Sequence, residues 1–225
     1  SELERFFEGF PVVKIFNGVD LDRFHPGLTG DGFRERFGIP RTAFVFGVVG
    51  TVEERKGTLA FLRAAEILAG SDPDARFAVV GDGLAEDVQK IRNYLAEHKP
   101  LASRVVLTGR LDDIPLVMAG LDVLVLPSLW EGFPRSLIEA MASGKTAIAS
   151  DVGEIPFILE GGRCGMVIPR GDQAALVQAM ARCLSDRAAL NEMGRLARER
   201  VVREFSLQRH VEVIENEYMD LLSAR

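Results

Sequence analysis

Cysteine is almost missing from this chain. Cys164 and Cys183 are the only two in 225 residues. They match no metal-ligand spacing and are too few for a disulfide framework, so both are expected as reduced core or helix residues of a cytoplasmic protein. A basic surplus is missing as well. With 27 lysines and arginines against 33 aspartates and glutamates, and a net charge of −6, nothing is left over for phosphate backbones, which excludes nucleic acid as the main partner. Small anions stay in play, because single cations and helix N-termini hold them even in an acidic protein. No apolar run reaches the ~18 residues of a membrane helix; the stretch Val123–Trp130 is broken by polar neighbours. The opening Ser1-Glu-Leu-Glu-Arg5 lacks a basic region followed by an apolar one, so no signal peptide is expected. The three histidines, His25, His98 and His210, stand in unrelated places without a catalytic partner, and no metal site is expected.

What is present describes a soluble α/β protein. Hydrophobic content is 47% and glycines number 22, and the length allows one large domain or two small ones. Short apolar runs near Phe44–Val49, Arg76–Val80, Val105–Leu107, Val123–Leu126, Thr146–Ala149 and Met166–Ile168 read as strands. Several are continuously apolar, as strands buried on both faces must be. Between them, helices are expected near Thr58–Ala69, Glu86–Glu97, Ile114–Ala119, Ser136–Ala142 and Glu154–Leu159. In the first, Leu59, Leu62, Ala65 and Leu68 make one core-facing stripe. This alternation implies a doubly wound, Rossmann-like parallel sheet of about six strands with helices on both faces. Ligands bind such sheets at the carboxyl ends of the strands, where Gly50, Gly81, Gly109 and Ser128–Glu131 fall. The tail is helical over Asp172–Leu184, Arg187–Phe205 and Ser206–Leu222, the last with an apolar face of Val211, Ile214, Tyr218 and Leu221.

The most informative stretch is Trp130-Glu-Gly-Phe-Pro-Arg-Ser-Leu-Ile-Glu-Ala-Met-Ala-Ser-Gly144. Pro134 is expected at the first helical position, where its fixed φ suits the site and its missing N–H is no loss. Glu139 then falls on a helix that is apolar on nearly every side. A carboxylate there is costly unless something pairs with it. A vicinal diol would do so, because one carboxylate accepts two hydroxyl hydrogens. The alternative is a structural carboxylate that caps or bridges a neighbour.

The spacing Glu131-x7-Glu139, after a hydrophobic strand and before Ala-Met-Ala-Ser-Gly144, closely resembles the signature of retaining glycosyltransferases of the GT-B fold, family 4 in particular. That resemblance covers nearly the whole chain. It implies that Glu139 holds the ribose of a sugar nucleotide and that Glu131 touches the hexose near the reacting centre. The segment Val12-Val-Lys-Ile-Phe-Asn-Gly-Val-Asp-Leu-Asp-Arg-Phe-His-Pro26 is similar to the family's entry to its second domain. Residues 1–25 are therefore expected as a hinge segment, 26–205 as the nucleotide-sugar-binding domain, and 206–225 as a helix packing on an upstream acceptor domain. The chain would be the donor-binding half of a GT-B enzyme, inactive without that upstream half.

Further motifs extend the resemblance. Gly50-Thr-Val-Glu-Glu-Arg-Lys-Gly57 is expected to put Arg55 and Lys56 at a helix start, where they suit a diphosphate. The family's form, Gly-Arg-x4-Lys-Gly, matches at Lys56 and Gly57 but has Thr51 in the usual Arg position, for which Arg55 is the substitute. The alternative is a solvated charge cluster. Val79-Val-Gly-Asp-Gly-Leu-Ala-Glu86 is a weak dinucleotide fingerprint and is similar to the family's turn at the cleft rim; its glycines, Gly81 among them, also have a purely conformational reading. By resemblance the backbone near Leu111 reads the nucleobase, while Asp112 and Asp113 are expected to cap the following helix. The loop Gly132-Phe-Pro-Arg-Ser136 offers free N–H groups to phosphate or sugar oxygens, with Arg135 and Ser136 as donors and Phe133 beside them. Asp151-Val-Gly-Glu-Ile-Pro156 matches another donor-side loop, with Phe157 where a Glu commonly follows.

The implied activity is hexose transfer from a UDP- or GDP-linked sugar to a glycan or lipid-linked acceptor, with no cofactor and no metal, and with peripheral membrane association open to the full-length enzyme. A sugar-nucleotide epimerase or phosphorylase of related fold, or a non-catalytic nucleotide-binding module, remain the alternatives.

Overall fold

A computed structural model describes residues 12–223. The first eleven residues of the expected hinge lie outside the described range. A short helix α1 (Asp31–Arg36) precedes a series of alternating strands and helices: β1 (Phe44–Val49), α2 (Thr58–Ser71), β2 (Ala75–Val80), α3 (Ala85–Glu97), α4 (Lys99–Ala102), β3 (Val105–Gly109), α5 (Ile114–Gly120) and β4 (Val123–Leu126). Then come α6 (Arg135–Ala142), β5 (Thr146–Ser150), α7 (Ile155–Ile158), β6 (Met166–Ile168), α8 (Gln173–Ser185), α9 (Arg187–Glu204) and α10 (Leu207–Ser223).

All six strands are parallel, in the order β3-β2-β1-β4-β5-β6. Side chains alternate across the sheet with period two. Val45, Val49, Ala78, Leu124 and Ala147 face one core with Met118, Leu137, Met141 and Val201 of α5, α6 and α9. Phe46, Phe77, Val79, Val125 and Ile148 face the other, with Phe61, Leu68, Ile91 and Met180 of α2, α3 and α8. Two-sided burial explains why β1, β4 and β5 read as unbroken apolar runs. The strand order reverses between β1 and β4, and the carboxyl edge at such a reversal is where sheets of this kind bind ligands.

The C-terminal helices return to the N-terminal segment around Val19. Val19 N–H donates to the Phe205 carbonyl at 2.9 Å, and Leu207 N–H to the Val19 carbonyl at 2.9 Å. Gly18 is obligatory there, since a Cβ on it would stand 2.7 Å from Leu207 Cα. Helix α10 buries none of its described residues, and Val211, Tyr218 and Leu221 are exposed. No helix of the described residues is long and apolar enough to cross a membrane.

Candidate functional site

The topological switch brings together residues 75 positions apart. After β1 the chain forms one tight turn, Glu54–Lys56, closed by Gly57 at φ 70°. A Cβ on Gly57 would sit 2.2 Å from the Pro127 carbonyl, so the β1 loop presses directly on the β4 loop. Leu129 N–H donates to the Arg55 carbonyl at 2.8 Å. Across this junction Lys56 Nζ donates to Glu131 Oε1 at 2.6 Å, and buried Ser128 Oγ to the same oxygen at 2.8 Å. Glu131 is 6% exposed, and a charge so buried persists only when paired. Its second oxygen, Oε2, has Arg55 Nη1 at 3.6 Å. Arg55 otherwise donates to the Trp130 carbonyl at 2.8 Å, lies 5.3 Å over the Trp130 ring and pairs with Glu53. The expected start of α2 at Thr58 is found, with Arg55 and Lys56 in a turn just before it. Helix α2 begins beyond Gly57 because only glycine takes that left-handed link without strain.

Glu139 is held differently. Its side chain is 14% exposed, and its nearest cation is the mostly exposed Arg135, at 3.6 Å one turn away. No described residue donates a hydrogen bond to its carboxylate oxygens. Burial pushes its pKa up, and the fields of Arg135 and then Arg23 offset this only in part. The helix it rides on starts one residue later than expected. Pro134 has ψ 115° and precedes α6, and the first helical residue is Arg135. Arg135 is exposed and Ser136 half-buried, and the first-turn amides of these two are the ones a helix start leaves free. Phe133 is half-buried and stacks on Phe16. The loop rests on the segment after β5: Glu154 N–H donates to the Gly132 carbonyl at 3.1 Å, and a Cβ on Gly153 would meet the Glu131 carbonyl at 2.1 Å.

The remaining sequence candidates line the same edge of the sheet. Gly50 and Thr51 are exposed at the end of β1. Gly81 has a reason of its own to be glycine, since a Cβ there would lie 1.8 Å from the Gly50 carbonyl. Leu111 packs half-buried on the α5–α6 core, and no hydrogen bond or ion pair among the described residues joins it to either glutamate. The capping expected of Asp112 and Asp113 is not found. Asp113 precedes α5 without a side-chain bond to it, at φ −90° and ψ 68°, and Asp112 is fully solvated beside Arg110. Around Gly50, Thr51 and Lys56 only about 10 Å³ is enclosed. A cavity of about 410 Å³ lies behind the turn between α2 and α8 and touches neither carboxylate.

Sequence reasoning missed three contributors. Ser128 and Trp130 were within the quoted loop, but nothing local marks their partners. Arg23 came with the hinge motif, and only the folded chain brings its charge toward Glu139. Among the described residues no group of three His, Cys, Asp or Glu side chains could hold a metal ion.

Comparison with known proteins shows the family and the fold. Over 223 residues the chain is 32% identical to an Escherichia coli UDP-Gal:alpha-D-GlcNAc-diphosphoundecaprenol alpha-1,3-galactosyltransferase, covering 97% of this chain and 57% of that protein. The chain thus spans less than two thirds of that relative's length. Sucrose-phosphate synthase from Thermosynechococcus elongatus superposes over 100% of this chain and 56% of its own, with a TM-score of 0.87 and 27% identity. Anabaena HepE in complex with UDP superposes over 94% of this chain and 57% of its own, with a TM-score of 0.82 and 25% identity. These structural neighbours are GT-B glycosyltransferases, and the chain has the architecture of their C-terminal half. Residues 43–186, which hold both glutamates and both cations, match the family described as Glycosyl transferases group 1, and the chain belongs to that family.

Proposed function

We propose that this chain is the donor-binding half of a retaining, metal-independent glycosyltransferase of family 4, moving a hexose from a nucleotide-diphosphate sugar to a glycan or lipid-linked acceptor on the cytoplasmic side. The observation that carries the reading is Glu139, a largely buried carboxylate that the described chain leaves without a hydrogen-bond donor. A ribose diol supplies the two missing donors. Glu131 takes the hexose. Its Oε1 is occupied by Lys56 and Ser128, which leaves Oε2 to accept from a sugar hydroxyl.

Lys56 has three ammonium donors and uses one on Glu131. The others serve the departing diphosphate, whose charge grows as the glycosyl bond breaks, so their stabilisation is concentrated in the transition state. Arg55 adds to that field, and the free amides of Arg135 and Ser136 add donors at the start of α6. The E. coli relative's name specifies a UDP-linked donor and the HepE structure holds UDP; both favour uridine here. In this reading residues 1–25 are the hinge, 26–205 the donor domain and 206–225 the helix that meets an upstream acceptor domain.

Calorimetry of the chain with UDP, GDP and their hexoses tests the binding half of the proposal. Saturable binding that Glu139→Gln weakens supports it, and no binding of any of them rejects it. The anomeric configuration of the product made by the complete enzyme, read by NMR, tests retention.

A further inference from the structure

The hinge segment sends one aromatic ring into the donor side of the domain. Phe16 stacks on Phe133 at 5.3 Å and 28°, and on Phe157 of α7 at 5.0 Å and 24°. Phe205, at the end of α9, meets all three edge-on, at 5.8, 5.5 and 6.2 Å. Separations and angles of this kind are those aromatic rings prefer. Buried Arg200 fastens the assembly from α9. It donates to the Ile158 and Phe157 carbonyls and to Glu160, and its guanidinium lies 4.9 Å from the Phe157 ring. The hinge is fixed from the other side by His210, whose Nδ1 lies 2.6 Å from the Phe16 carbonyl oxygen.

Phe133 belongs to the loop whose following amides open α6, and Phe157 belongs to a different element 24 residues on. No Phe133–Phe157 ring pair is formed among the described residues; their stacked connection runs through Phe16. Phe16 thus links the N-terminal segment to the loop directly, beside the route from Lys14 through Glu154 to the Gly132 carbonyl. Phe157 is 45% exposed, more than a residue kept for core packing alone. It also stands where the resembled family commonly has a carboxylate.

We propose that Phe157 is a positioning residue for the donor loop: acting through Phe16, it holds Phe133 and the first amides of α6 where they meet the diphosphate. This rests on the donor-binding reading above. The test compares the wild-type chain with Phe157→Ala, Phe157→Tyr and, reaching the same stack from the hinge, Phe16→Leu. Amide hydrogen exchange at Leu137 and Glu154, whose N–H groups donate to the Pro134 and Gly132 carbonyls of this loop, is measured beside exchange in β1 and β4, and UDP and UMP affinities are measured by calorimetry.

Losing one ring pair should speed loop exchange about three- to tenfold while the strands keep their protection. The preference for UDP over UMP should fall by a similar factor, and Phe157→Tyr should restore both. Loop exchange or a UDP preference unchanged in Phe157→Ala overturns the proposal alone, and should that variant not fold, Phe16→Leu decides by the same two readouts. Failure of the wild-type chain to bind UDP or GDP overturns the donor reading, and the positioning role with it.

Discussion

Glu131 and Glu139 stand eight residues apart on one loop and helix, and the protein treats them in opposite ways. Around Glu131 the fold supplies everything: a lysine at 2.6 Å, a buried hydroxyl at 2.8 Å and a guanidinium further off. Around Glu139 it supplies only the fields of two arginines, and burial raises the carboxyl pKa. The first carboxylate helps weld the β1 loop to the β4 loop whether or not a ligand is present. The second has no hydrogen-bond donor among the described residues, and on the proposed reading a ligand supplies it. Stability and binding should therefore separate cleanly between the two residues.

The sharpest way to break that contrast is Lys56→Met. It keeps the apolar stem and leaves the buried Glu131 with the Ser128 hydroxyl and, further off at 3.6 Å, Arg55. Removing one partner of a buried pair costs about 3 kcal/mol, visible as a lowered urea midpoint. If Lys56 faces the diphosphate as proposed, binding of UDP should be lost in the same variant. An unchanged midpoint would show that Glu131 does not depend on this lysine, and the distinction between the two carboxylates would go with it.

Glu139→Gln should do the reverse. Folding stability at neutral pH should hold or rise slightly, while UDP affinity falls about ten- to a hundredfold, the loss expected for hydrogen bonds to a charged acceptor. The pH dependence has a definite sign. The folded-state pKa of Glu139 is raised above its ordinary carboxylate value. The native state therefore binds the proton more tightly than the unfolded chain, and wild-type stability declines as pH climbs from the ordinary value through the raised one. The Gln variant lacks this component, so it gains on the wild type across that window. UDP affinity of the wild type should rise over the same range, because the diol needs the ionised acceptor. Parallel stability profiles for the two proteins would leave Glu139 no more strained than an ordinary surface carboxylate.

Which parts were readable in advance follows from the range of the forces involved. The central strands β1, β2, β4 and β5 were legible because burial on both faces leaves apolar runs, the half-buried edge strands β3 and β6 because they are short apolar runs between helical patterns, and the burial of Glu139 because its helical neighbours are apolar. What failed was local chemistry decided by the surroundings. Pro134 sits just before α6 rather than in it, and Asp113 leaves α5 uncapped. Asp172 and Asp186, by contrast, do cap their helices, accepting from Ala175 and Ala189 N–H. What stayed invisible was long-range. Ser128 and Lys56 on one oxygen, Arg23 near Glu139, and Phe16 against Phe133 and Phe157 join residues whose meeting only the topology decides. A phenylalanine read alone says that it is buried, not which loop it steadies.

The finest test concerns the cation side of Glu131, where Thr51 stands in the position that the resembled family gives to arginine. Thr51 is exposed beside Gly50, so Thr51→Arg should fold normally and raise UDP affinity. Arg55 now divides its guanidinium among Glu53, the Trp130 carbonyl and the outer oxygen of Glu131. If it also serves the diphosphate, Arg55→Ala should cost about threefold in UDP affinity, the modest scale of a partly exposed charge. The two changes then compete for one role, so Arg55→Ala should matter less in the Thr51→Arg background. A double-mutant cycle measured by calorimetry should show coupling of about 0.5 kcal/mol. Strict additivity would confine Arg55 to its contacts with Glu53 and Trp130 and leave Lys56 to face the leaving group from this turn without its neighbour. The stability contrast between Glu131 and Glu139 would survive that result, since it rests on the lysine and the serine.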